Sequence, residues 1–163
     1  MKTTTMILLL AALAAIAQNA RAQDPPAQGA PTVEPQRIEK EIMAVLDAFM
    51  AAFNRRDAIA EERTYHFPHY RLASGQMRIL DAAGAETEAA MNATYQRFVE
   101  SGWDHSAWTR RKIIHVSADK AHVDTEFTRY RKDGSVIAAF DSLYILTKEN
   151  GRWGIKMRSS FAQ

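Results

Sequence analysis

Apolar residues recur at helical spacing over residues 37–54. Ile38, Ile42, Val45, Leu46, Phe49 and Phe53 fall on one stripe, with Glu39, Lys40, Glu41 and Asp47 on the other faces. This pattern predicts an amphipathic helix with one buried side. Asp57 is placed to cap a short second helix reaching about Thr64, and Pro68 keeps it from running further. Residues 67–73 and 76–80 then read as strands reversed at Ser74-Gly75. A third helix follows over residues 85–100, with Ala89, Ala93, Tyr95, Phe98 and Val99 able to face inward and Gly102 ending it. Four strands complete the chain, over residues 108–116, 121–131, 136–146 and 152–161. The last three are joined at Asp133-Gly134 and Asn150-Gly151, pairs that supply the positive φ angles of tight hairpins. This order predicts an α+β fold. A curved, mostly antiparallel sheet wraps round the long first helix as a cone-shaped half-barrel enclosing one pocket.

Two-residue loops at both turns would fix the pairing. Counting outward from Asp133-Gly134 sets Phe127 against Phe140, Thr125 against Ser142 and Glu126 against Asp141. Counting outward from Asn150-Gly151 sets Leu146 against Ile155, Tyr144 against Met157, Ser142 against Ser159 and Phe140 against Phe161. Because side chains alternate, the buried face then carries Val123, Thr125, Phe127, Phe140, Ser142, Tyr144, Leu146, Trp153, Ile155, Met157, Ser159 and Phe161. The outer face carries Asp124, Glu126, Thr128, Asp141, Lys156, Arg158 and Ser160. Thr125, Ser142, Tyr144 and Ser159 are the polar members of the apolar face, and a buried hydroxyl without a partner costs roughly 1–3 kcal/mol. Each is therefore bonded to backbone, water or ligand, and the long arm of Tyr144 points it into the enclosed volume. Arg129, further along, is placed either to meet an anionic ligand or to stand as a rim charge. The candidate ligand-binding set is Thr125, Arg129, Ser142, Tyr144, Met157, Ser159 and Phe161. On the other face, Glu126 opposite Asp141 predicts an arginine-bridged network or a homodimer contact.

Composition adds the chain's address. Lys2, the apolar run over residues 6–17 and Ala20-Arg21-Ala22 read as a secretory leader cut after Ala22. The run is too short to span a bilayer: twelve helical residues rise about 18 Å against roughly 30 Å of hydrocarbon. Residues 23–36, with Pro25, Pro26, Pro31 and Pro35, read as a linker, and residues 37–163 as one domain. The expected protein is exported, periplasmic or secreted, and free of the membrane once cut. The formal charge of +2 belongs to the leader, since without Lys2 and Arg21 the chain holds 19 basic and 19 acidic residues. That balance argues against nucleic acid as a partner. With no cysteine, neither a disulfide nor a thiol nucleophile is available.

Candidate chemistry is sparse. His66 and His69 flank Phe67-Pro68, and His105 lies between Trp103 and Trp108, but no spacing matches a metal-ligand pattern. No phosphate loop or nucleophile elbow is present, and nothing points to a cofactor. A histidine titrates near neutrality, so His69 is the candidate general base and Tyr144 the candidate oxyanion donor if a reaction occurs. Without a reaction, the cone binds a small, largely apolar or weakly anionic molecule. If aromatic side chains fill the pocket, the chain is a dimeric interaction module.

The element order resembles the SnoaL-like branch of the nuclear transport factor 2-like superfamily. Three segments carry the likeness: His66-Phe-Pro-His-Tyr-Arg-Leu-Ala-Ser-Gly, Phe127-Thr-Arg-Tyr-Arg-Lys-Asp-Gly and Gly151-Arg-Trp-Gly-Ile-Lys-Met-Arg-Ser-Ser-Phe. The resemblance implies the cone-shaped fold and, more weakly, a function among those of ketosteroid isomerase, polyketide cyclases and scytalone dehydratase. Similarity to the last strand of the isomerase implies that Met157, Ser159 and Phe161 line the pocket. Residues 67–80, however, hold no carboxylate where the isomerase carries its catalytic aspartate, and Ala73 or Ser74 falls there.

Overall fold

The computed structural model describes residues 33–162. The leader, its cut and most of the proline-rich stretch lie outside them. Helix α1 spans Val33–Arg55, starting four residues before the expected Arg37. Pro35 fits there because a first-turn residue has no intrahelical use for its amide. Arg37 reaches back to Glu34 at 2.6 Å and forward to Glu41 at 3.2 Å. Helix α2 spans Ala58–Glu62, and the Asp57 side chain accepts from the Ala60 amide at 3.0 Å as its cap. Strands β1 (Tyr65–Ala73) and β2 (Gln76–Leu80) form the first hairpin, and helix α3 spans Ala85–Glu100. Strands β3 (His105–Val116), β4 (Lys120–Tyr130), β5 (Val136–Glu149) and β6 (Arg152–Ser160) follow.

The six strands form one curved, open sheet in the order β2-β1-β6-β5-β4-β3, antiparallel throughout except where β1 runs parallel to β6. Helix α1 lies against the sheet, and Ile42 and Leu46 are fully excluded from solvent beside Val123, Leu146 and Ile155. The apolar stripe read from the sequence is this buried side, and each such side chain contributes about 1.5–3 kcal/mol.

The turns explain which pairings the sequence predicts correctly. Asn150 and Gly151 both have positive φ, 53° and 78°, as a two-residue hairpin of that type requires. At Asp133-Gly134 only Gly134 does, and the loop is longer, with Arg131 and Ser135 bonded across it. A register shift between Arg129 and Tyr130 cancels that difference. Phe127 therefore faces Phe140, Thr125 faces Ser142 and Glu126 faces Asp141, as expected.

On the β5–β6 side no such cancellation occurs. Leu146 faces Ile155 as counted, but a bulge beyond that pair moves the register by one residue. Tyr144 consequently faces Arg158, and Ser142 faces Ser160. A shift of one residue exchanges the faces of everything beyond it. Met157 and Ser159 leave the concave face, and Phe161 is 80% exposed. Arg158, Ser160 and Ala162 take their places inside. The outer network is arginine-bridged as one reading had it, but by Arg110, which bonds Asp124, Glu126 and Asp141.

Candidate functional site

A cavity of about 110 Å³ opens within the cone, well above the ~10–15 Å³ needed by one water molecule. Its apolar wall comes from Phe49, Met50 and Phe53 of α1, Met91 and Phe98 of α3, and Phe127 of β4. Its charged lining is Glu61, Arg71, Arg78, Arg129 and Arg158. Four guanidinium groups thus face one carboxylate.

The sheet register lines up three of these arginines. Arg78 pairs with Arg71 across β2–β1, Arg71 with Arg158 across β1–β6, and Arg158 with Tyr144 across β6–β5. Paired residues share a face, so the cations form a row leading to the tyrosine. Like charges directly opposite repel, so such a row persists only with compensation or use.

Among the described residues, compensation reaches only its inner end. Glu61, 3% exposed, accepts hydrogen bonds from the hydroxyls of Tyr65 and Tyr95, and one of its oxygens lies 4.0 Å from an Arg158 Nη. The Arg158 guanidinium rests 4.9 Å from the Phe49 ring centroid and 5.3 Å from that of Tyr65. Burial opposes its charge, but the Tyr65 and Tyr144 hydroxyls and Glu61 outweigh burial and raise its pKa. Burial drives the Tyr144 hydroxyl the same way, keeping it protonated. Arg71 and Arg129 are shifted down, each by burial first and then by an arginine neighbour, and Arg129 falls to about 10.

His69 is completely buried but does not line the cavity. The Tyr65 ring stacks flat on its imidazole, with centroids 3.9 Å apart. Nδ1 lies 3.0 Å from the Ile155 carbonyl, which can only accept, so Nδ1 carries the proton. Nε2 is then the acceptor for Arg158 Nε–H at 3.3 Å. Burial, followed by the charge of Arg158, lowers its pKa to about 3. His69 therefore holds the inner arginine through Nε2, while Nδ1 ties the imidazole to the β6 backbone.

Of the residues expected to line the pocket, Arg129 and Tyr144 do so. Thr125 and Ser142 lie behind the lining, with the Thr125 hydroxyl donating to the Ser142 carbonyl and the Ser142 hydroxyl to Ser160 Oγ. Met157, Ser159 and Phe161 are turned away by the bulge. His69 and Tyr144 do not meet at a common point in the cavity but flank Arg158 from two sides. Glu61, Arg71, Arg78 and Arg158 were not foreseen. The Arg71–Arg78 pair was within reach, since counting outward from Ser74-Gly75 sets them opposite each other.

The comparisons with known proteins agree with the fold. Residues 39–159 match the family model described as NTF2-like protein (DUF6841), and the chain belongs to that family. The particular relatives are distant. An NTF-2 like protein of unknown function from Shewanella oneidensis is 18% identical, covering 77% of this chain and 99% of its own, with a TM-score of 0.61. An NTF2-like protein with a cystatin-like fold from Novosphingobium aromaticivorans is 14% identical over 78% of this chain and 82% of its own, with a TM-score of 0.64. A ketosteroid isomerase-like protein from Erwinia carotovora atroseptica is 24% identical over 75% and 93%, with a TM-score of 0.56. Likenesses at these identities establish the shared fold. No curated protein matches the chain.

Proposed function

We propose that the chain is an exported pocket protein whose cone binds a small, largely apolar molecule carrying an anionic group, without chemistry. The observation that carries this reading is the imbalance of the lining, with four arginines against Glu61 in a cavity whose other walls are mostly apolar and aromatic. Such a cavity offers an apolar body burial and an anion charge-assisted hydrogen bonds. Catalysis with His69 as base has less support, because both of its nitrogens are engaged and its pKa is lowered to about 3. An interaction module with a filled cone also has less support, since Phe161 stands in solvent and space remains.

The test is native mass spectrometry of the purified chain, followed by thermal-shift titration with apolar acids. Ala90 lies on the exposed side of α3 and borders the cavity, so Ala90→Trp should close the mouth without disturbing the core. Ligand-induced stabilisation that disappears in Ala90→Trp is the expected result. Stabilisation unchanged by the substitution would move the binding site elsewhere and end this reading.

A further inference from the structure

Arg158 has Glu61, His69 and two aromatic rings around it. Arg129 has no such set. It is 8% exposed, its Nε is buried with no hydrogen-bond partner, and it forms no ion pair among the described residues. What surrounds its guanidinium is aromatic. The Phe98 centroid lies 4.0 Å away, Phe140 5.0 Å and Phe127 5.8 Å. Phenyl rings offer a guanidinium no oxygen to bond, so its Nη–H groups remain available to a ligand. The arginine whose charge bears on it is Arg71, another cation that also lacks an ion pair among the described residues.

A guanidinium packed among rings with its Nε buried and unpaired is a cost to the fold, and an apolar side chain of similar length would remove that cost. Arg129 is thus poorly explained as a stabilising residue and well explained as half of a pair whose other half arrives from solution. The shape of that half follows from the donor. A guanidinium edge offers parallel N–H groups in one plane and matches the two coplanar oxygens of a carboxylate. A phosphate is tetrahedral and more strongly hydrated, so it fits less well among three phenyl rings.

Resting on the pocket-binding reading above, we infer that the ligand is a monocarboxylic acid. Its carboxylate is received by the N–H edge of Arg129 with Arg71 beside it, and its hydrocarbon body lies against Phe98, Phe127 and Met91. Arg158 is a positioning residue for the inner wall and does not hold the anion.

The test uses isothermal titration calorimetry with hexanoate and phenylacetate, their primary amides, and hexyl phosphate, on the wild type and on Arg129→Met. The wild type should bind each acid about tenfold or more tightly than its amide, as expected for charge-assisted bonds gained by the acid alone. In Arg129→Met that preference should fall to within about twofold, because the acid loses more affinity than the amide, with thermal stability equal to or above the wild type. Arg129→Lys, which keeps charge but loses the planar edge, should fall between them.

Acids and amides binding equally would overturn the carboxylate assignment while leaving the pocket reading intact. Hexyl phosphate binding more tightly than hexanoate would overturn it in favour of a phosphate. A loss of thermal stability in Arg129→Met would make Arg129 a structural residue and also overturn it. Failure of every probe to bind the wild type would overturn this inference together with the reading it rests on.

Discussion

Glu61→Gln isolates the electrostatic keystone of the cavity wall, since it keeps the side-chain shape and removes only the charge. Two consequences add. The hydroxyls of Tyr65 and Tyr95 both donate to the carboxylate, and hydrogen bonds to a charged group are worth about 1.5–3 kcal/mol each. An amide retains one accepting oxygen and so keeps at most part of this. The Arg158 guanidinium also loses its carboxylate at 4.0 Å, a Coulomb interaction of about 4 kcal/mol at an effective dielectric of 20. Tyr65, Tyr144 and the Phe49 ring still offset part of that charge. The net expectation is a loss of about 3 kcal/mol. Urea unfolding followed by fluorescence of buried Trp103 and Trp153 measures it, with an unchanged m-value confirming that the end states are the same. Arg158→Met in the same background completes a double-mutant cycle. Removing both charges should cost at least about 1 kcal/mol less than the sum of the single losses. A Glu61→Gln variant within about 0.5 kcal/mol of wild type, or a strictly additive cycle, would refute the account of the inner wall.

Three further outcomes follow from the same geometry. The folded-state pKa of His69, about 3, lies below its unfolded value of 6.5, so the unfolded chain takes up the proton first; stability is fully present above about pH 6.5 and is lost as pH falls toward 3. Midpoints of urea unfolding at pH 7, 6 and 5 should fall steadily, and His69→Gln should remove up to about 1.4 kcal/mol per pH unit of that slope, which His66, also shifted down by burial, shares. Because the chain has no cysteine, Phe161→Cys and Ala162→Cys report the β6 register directly: the first, at an 80% exposed position, should react with a thiol reagent about as fast as the unfolded chain, and the second, at a 1% exposed position, should be protected. The reverse order would restore the unbulged pairing. Gly154→Ala should destabilise by about 1–3 kcal/mol in thermal melts, because a Cβ there would lie 2.8 Å from the His66 ring, which is held by Thr147 Oγ1 at 2.9 Å. His66→Ala should rescue it.

Legibility in this chain follows the range of the interaction that decides each feature. The stripe on α1, the Asp57 cap and the Asn150-Gly151 turn are set by near neighbours, and each can be read from a few consecutive residues. The β4–β5 register also came out as counted, but through two deviations that cancel, so its agreement owes something to chance. The β6 bulge has no local mark. It sits where β6 also pairs with β1, a parallel neighbour about 90 residues away whose own register shifts between Tyr65 and Tyr70. Across that junction Lys156 Nζ donates to the Phe67 carbonyl at 3.0 Å, and Arg158 meets His69. Such contacts exist only after the sheet has formed, so no count outward from a turn contains them. Yet this bulge decides which β6 side chains face the cavity. Without it the cone would present Met157 and Ser159, a soft, neutral wall suited to an apolar guest. With it the same strand presents Arg158 and Ser160, and Arg158 joins Arg71 and Arg78 into a cationic row. The charge of the inner wall is therefore set by a single unpaired residue in one strand, whereas Arg129 on β4 reaches the cavity independently of it.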